Sequence, residues 1–129
     1  MTILFIEDNP DFSKYIIDLL VNHGYKVDLI ETADEAVNIL PHIAGRYNLI
    51  ILDIMIRLGS IIKEDEASET GIAIYKRLRA INKDVKVLVL SALSKADIWS
   101  AFSRDSKAYY FGKPMPKDTS DFLKIIRGF

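Results

Sequence analysis

The chain has no cysteine among its 129 residues, which excludes disulfides, thiolate metal centres and cysteine nucleophiles and suits a reducing compartment. Long hydrophobic runs are missing as well. The apolar stretches are short and broken by charge, and no basic amino-terminal region leads into a long apolar one. Neither a membrane span nor a secretory signal is expected, so a cytoplasmic location is the default reading. Nor is one sign of charge in excess. Lys and Arg number 17 against 18 Asp and Glu, for a formal net charge of −1. The basic residues are scattered, so direct nucleic-acid binding lacks its electrostatic footprint. No repeat, low-complexity tract or linker divides the chain, and one domain is expected over residues 1–129.

What remains is half apolar, and a chain of this length buries about two thirds of its unfolded surface, enough for a core without covalent staples. Short β-prone runs at residues 3–6, 26–30, 49–52, 85–90 and 108–111 alternate with longer amphipathic segments. Several runs are apolar throughout, as strands are when helices cover both faces of a parallel sheet. The first helix starts at Pro10, carries Phe12, Tyr15, Ile16, Leu19 and Leu20 at three-and-four spacing, and closes at Gly24. The second begins at Thr32, which has capping-box spacing to Glu35, and buries Ala36, Val37 and Leu40 before Pro41. A third runs from Gly71 through Ile74, Leu78 and Ile81. A fourth spans 95–103 with Ile98, Trp99 and Phe102, and a fifth starts at Pro116 with Phe122, Ile125 and Ile126. Trp99 and Phe102 are expected to pack one side of the fourth helix. The connection at about residues 56–70 is long for a strand-to-helix link, and its Glu64, Asp65, Glu66 and Glu69 read as a solvated acidic loop.

Ligands of an open α/β sheet bind outside the carboxyl ends of its strands. Here the runs end in Glu7-Asp8, Asp53, Ser91-Ala92 and Lys113-Pro114. Two unit charges 4 Å apart repel by about 4 kcal/mol at an effective dielectric near 20, so three converging carboxylates call for a cation. Mg²⁺ suits such oxygen donors and leaves a position for a phosphate oxygen. Lys113 adds a compact positive charge, Ser91 a hydroxyl donor, and an aspartate beside the ion is a competent nucleophile toward phosphorus. His23 and His42 lie near helix ends, away from that edge, and read as surface residues.

At Phe5-Ile6-Glu7-Asp8-Asn9, Leu52-Asp53-Ile54-Met55, Ser91-Ala92 and Lys113-Pro114 the sequence resembles the receiver domain of two-component response regulators, over essentially its whole length. The resemblance implies a single doubly wound (βα)5 domain of the chemotaxis-regulator, flavodoxin-like type, with a five-stranded parallel sheet in strand order 2-1-3-4-5. It implies that Asp53 accepts the phosphoryl group, and that Mg²⁺, or Mn²⁺ in its place, is held by Asp8, Asp53 and the Met55 carbonyl with Glu7 acting through water. Ser91, the Ala92 amide and Lys113 would contact the phosphoryl group. Tyr110 would be the aromatic switch that moves with Ser91, and the bond before Pro114 would be cis. The implied partners are a sensor histidine kinase or histidine phosphotransfer protein upstream and a protein partner in trans downstream. A homodimer through the fourth helix, fifth strand and fifth helix is a further implied association. Such a module catalyses its own phosphorylation and dephosphorylation without being a conventional turnover enzyme. The departures are Gly71, which lies 18 residues past Asp53 and so implies an enlarged loop, the missing proline after the acceptor, and Asp105-Ser106-Lys107 in place of a glycine-containing turn. The rival readings are a docking module of the same fold that has lost phosphorylation, and a Mg²⁺-dependent phosphatase. The phosphatase would typically need a second acid where Met55 stands.

Overall fold

The computed structural model describes residues 1–129. In chain order the elements are β1 (Thr2–Ile6), α1 (Pro10–Asn22), β2 (Lys26–Ile30), α2 (Ala33–Ile39), β3 (Leu49–Asp53), α3 (Thr70–Ile81), β4 (Lys86–Ser91), α4 (Lys95–Ile98), β5 (Ala108–Gly112) and α5 (Ser120–Gly128). The strands form one parallel sheet in the order β2-β1-β3-β4-β5. This is the expected architecture, and it requires that helices cover both faces.

Successive strand residues point to opposite faces, and the core divides accordingly. Leu4, Ile6, Ile50, Leu52, Val87 and Val89 pack with Ala36, Ala73, Ile74 and Leu78 of α2 and α3. Ile3, Phe5, Leu49, Ile51, Leu88 and Leu90 pack with Ile16 and Leu20 of α1 and with Phe122 and Ile126 of α5. All five residues of β3 are buried, which explains why that run has no polar alternation. The helix starts are fixed by side chains. Asn9 Oδ1 accepts the Phe12 N–H at 3.0 Å with Pro10 at the first helical position. Thr32 Oγ1 accepts the Glu35 N–H at 3.2 Å and donates to Glu35 Oε1 at 3.0 Å. After α1 the chain turns through Gly24 at φ +87°, a conformation that favours glycine.

The fourth and fifth helices differ from expectation. The fourth is one α turn, capped by Ser94, followed by a 3-10 turn at Trp99–Ala101. In the tighter winding residues three apart eclipse. That alignment brings Trp99 and Phe102 within 5.7 Å of each other, with Phe102 against Tyr75 at 4.4 Å and Trp99 edge-on to Tyr110 at 6.4 Å. Phe102 is fully buried, whereas Trp99 is only partly so. The fifth helix starts at Ser120 and not at Pro116. Asp118 Oδ1 accepts the Ser120 N–H at 2.9 Å, a local side-chain turn that holds the preceding residues out of the helix.

The connection between β3 and α3 is only partly the solvated loop that its charge suggests. Glu64, Asp65 and Glu66 are exposed, but Ile54, Ile56 and Ile62 are buried in the larger core cluster. Asp34 of α2 accepts the Ser60 N–H at 2.9 Å and the Ile61 N–H at 3.0 Å. Gly59 lies so close that an added Cβ would meet Asp34 Oδ1 at 2.4 Å. Glu66 also pairs with Arg77 of α3 at 2.7 Å. The segment is therefore tied to the core at several points along its length.

Candidate functional site: an acidic crevice at the strand ends

Three strands deliver the crevice. β1 ends at Ile6, so Glu7 and Asp8 follow directly. Asp53 closes β3 beside Leu90 of β4, and Lys113 follows β5. The Lys113 N–H donates to the Ser91 carbonyl at 2.8 Å, which fixes where the lysine leaves the sheet. The Lys113-Pro114 bond is cis. α3 bears directly on the backbone behind Asp53. The Gly71 N–H donates to the Ile54 carbonyl at 2.9 Å, and a Cβ on Gly71 would lie 2.4 Å from Ile54 Cα. Only glycine permits that approach, which is what the sequence position of Gly71 requires.

Within the crevice, carboxylate oxygens of Glu7, Asp8 and Asp53 lie within 4.8 Å of one another. Glu7 is 0% and Asp53 3% exposed, while Asp8 is half-buried. Lys113 Nζ donates to Glu7 Oε1 at 2.6 Å and stands 3.4 Å from Asp53 Oδ2, with the Phe12 ring 4.3 Å away on another side. The second Glu7 oxygen accepts the Asp8 N–H at 3.1 Å. One lysine therefore serves two buried acids. Burial, and then the neighbouring Asp53 carboxyl, push Glu7 up from its usual 4.5 to about 7 against the pull of Lys113. The cluster is short of positive charge, and its donors are all hard oxygens at convergent positions. That is the chemistry a small divalent cation completes, so the residues present fit Mg²⁺.

The remaining expected residues surround this cluster. The Met55 N–H donates to Asp53 Oδ1 at 3.2 Å, and the Met55 side chain is exposed. Ser91 is fully buried at the end of β4, where its Oγ accepts the Leu93 N–H at 3.0 Å, and Ala92 beside it is exposed. The Tyr110 hydroxyl donates to the Leu93 carbonyl at 2.9 Å. Ser91 and Tyr110 thus hold the same residue from its two backbone sides. His23 is engaged locally, with Nδ1 at 2.8 Å from the Leu19 carbonyl, and His42 is exposed on the 3-10 turn after α2.

Three features of the crevice escape the sequence reading. Glu7 is the nearest partner of Lys113, Phe12 lines the lysine's path, and Arg57 reaches Asp8. No local pattern signals any of them, because the partners are 106, 101 and 49 residues apart.

Comparison with known proteins places the geometry. The family described as "Response regulator receiver domain" matches residues 3–127. The transcriptional regulatory protein DltR of Streptococcus agalactiae is 28% identical over 95 residues. That match covers 74% of this chain and 37% of DltR, so the chain spans little more than a third of this curated relative. Among solved structures, the response regulator protein TrrA from Thermotoga maritima, in complex with Mg²⁺ and BeF, is similar with a TM-score of 0.75 at 24% identity. That likeness covers 98% of this chain and 96% of TrrA. TrrA in complex with the histidine kinase ThkA is similar with a TM-score of 0.72 at 24% identity, covering 98% and 96%. No helix of the chain is long and apolar enough to cross a membrane. With the receiver profile spanning nearly every residue and the fold matching throughout, the chain belongs to the response regulator receiver domain family, a family of phosphoacceptor signalling modules.

Proposed function

We propose that the chain accepts a phosphoryl group on Asp53 from a sensor histidine kinase or histidine phosphotransfer protein, and passes the signal to a protein partner in trans or into self-association. The observation that carries this reading is a nucleophile-competent carboxylate, Asp53, closing an apolar strand beside Glu7, Asp8 and Lys113. In the transfer an Asp53 oxygen forms the new P–O bond as the P–N bond to the donor imidazole breaks, the nitrogen keeping the electron pair. Asp8, Asp53 and the Met55 carbonyl hold Mg²⁺ or Mn²⁺, with Glu7 acting through water, and the ion supplies charge neutralisation for the incoming phosphate. Lys113 pairs with the phosphoryl oxygens, and Ser91 Oγ and the Ala92 N–H donate to them.

Signal output follows from Leu93. Ser91 and Tyr110 both bond its backbone, so drawing Ser91 toward the phosphoryl group releases the Leu93 N–H and loosens the segment that Tyr110 holds. A shift between populations of the α4–β5–α5 face is the result. Tyr109 is exposed on that face and stacks edge-on against Phe129 at 4.6 Å, an aromatic surface that supports docking of a partner or a second copy there.

The test is intact mass after incubation with Mg²⁺ and acetyl phosphate, for the wild type and Asp53→Asn. One added phosphoryl group on the wild type and none on the variant is expected. No gain on the wild type, despite saturable Mg²⁺ binding, overturns the reading in favour of a docking-only module.

A further inference from the structure

Asp8 is not free in the crevice. Its Oδ2 accepts the Arg57 backbone N–H at 2.9 Å and the Arg57 Nε–H at 3.3 Å, so a residue from the connection between β3 and α3 presents both a dipole and a full charge to one oxygen of the acidic cluster. Arg57 is held on both sides. Ile56 is buried in the core just before it, and Gly59 to Ile61 are fastened to Asp34 just after it. The Arg57 side chain nevertheless remains 86% exposed. It has the charge that the cluster lacks and the freedom to leave.

We propose that Arg57 is a built-in counter-ion for Asp8 which a divalent cation must displace, so that the segment after β3 sets the cation affinity of the crevice. The inference rests on the reading of Glu7, Asp8 and Asp53 as the cation site and adds to it a competitor from within the chain. A cation that takes Asp8 meets a positive guanidinium 3.3 Å from the same oxygen, and the two cannot share that oxygen without repulsion. With the Arg57 side chain largely in solvent, the ion pair is weak and screened by salt. The opposition to the cation is therefore modest and depends on ionic strength. When the cation binds, Arg57 swings out, and the rim of the crevice gains a free positive charge only in the occupied state.

The experiment is calorimetric Mg²⁺ titration of the full chain as wild type, Arg57→Ala and Arg57→Lys at low and high ionic strength, together with the Arg57 Nε–H resonance followed during titration. Arg127→Ala is the control, since it removes the same charge from an exposed arginine in the last turn of α5, away from the connection after β3. Arg57→Ala is expected to bind Mg²⁺ about two- to five-fold more tightly than the wild type at low salt, with the gain fading at high salt. Arg57→Lys should fall between them, Arg127→Ala should match the wild type, and the Arg57 resonance should move along the Mg²⁺ isotherm. Equal affinity in wild type and Arg57→Ala, an equal gain in Arg127→Ala, or an unmoved Arg57 resonance overturns the proposal and leaves the cation site standing. Failure of every variant to bind Mg²⁺ overturns the cation site and the proposal together.

Discussion

Two polar clusters at opposite ends of the sheet differ in their balance of charge. At one end of the sheet Tyr75, Arg79 and Asp105 tie α3 to the turn before β5. The Tyr75 hydroxyl and Arg79 Nε both donate to Asp105, the latter at 2.7 Å. Arg79 also donates to the Val85 carbonyl at 2.7 Å and the Asn82 carbonyl at 3.2 Å, and the Lys107 N–H reaches Asp105 Oδ1 at 2.9 Å. At the other end Glu7 and Asp53 share Lys113. Burial pushes Asp105 up, but its donors outweigh that push and hold it below the usual carboxylate range, whereas Glu7 is pushed up to about 7. A satisfied cluster of this kind is structural. The crevice is left short of positive charge, and that contrast supports the proposal that it takes a cation.

The sharpest way to break the comparison is to remove the cation from each cluster. Arg79→Ala takes the only charged partner from Asp105, leaving it the Tyr75 hydroxyl and the Lys107 N–H, and strips a donor from the Asn82 and Val85 carbonyls, so it should destabilise the fold by about 3 kcal/mol, whether or not Mg²⁺ is present. Lys113→Ala should cost less than half as much, because Glu7 can respond by holding a proton. Urea unfolding in EDTA and in Mg²⁺ checks both, and equal losses would dissolve the distinction.

A smaller effect sharpens it. The folded state holds the Glu7 proton more tightly than the unfolded chain, so this contribution to stability is complete below about pH 4.5 and is lost as pH rises to about 7. Asp105 has the opposite sign. Its contribution is present above the usual value of 3.8 and is lost only as pH falls through its lowered folded value. Without divalent cation, the stability of the wild type relative to Glu7→Gln should therefore fall by about 2 kcal/mol between pH 4.5 and 7.5. A flat difference would mean that Glu7 ionises like an exposed acid.

The sequence makes one of these clusters legible and hides the other. Glu7, Asp8, Asp53 and Lys113 each terminate an apolar run, and the rule that ligands gather at strand ends assembles them without any distance information. A parallel sheet covered by helices on both faces follows from the alternation of apolar runs with amphipathic segments, while the strand order is what the family resemblance implies. Tyr75 and Asp105 look like an ordinary core aromatic and an ordinary turn acid, because their partnership spans 30 residues that no period connects. Arg57 is equally silent, since its approach to Asp8 depends on the burial of Ile56 before it and on the bonds of Ser60 and Ile61 to Asp34 after it. The short fourth helix escaped because Ile98, Trp99 and Phe102 suit an α-helical stripe, while their aromatic packing selects the tighter 3-10 winding. The acids of the connection after β3 suggest a solvated loop, yet the burial of Ile56 and Ile62 anchors it to the core.

A divalent-cation site built around a deficit of positive charge should show itself in calorimetric titration of the wild type and Asp8→Asn with Mg²⁺ near pH 7, in buffers of different ionisation enthalpy. The wild type is expected to take up one Mg²⁺ per chain, with proton release as Glu7 ionises, and Asp8→Asn to take it up far more weakly. Uptake that is unchanged in Asp8→Asn, or the absence of saturable uptake by the wild type, would contradict such a site.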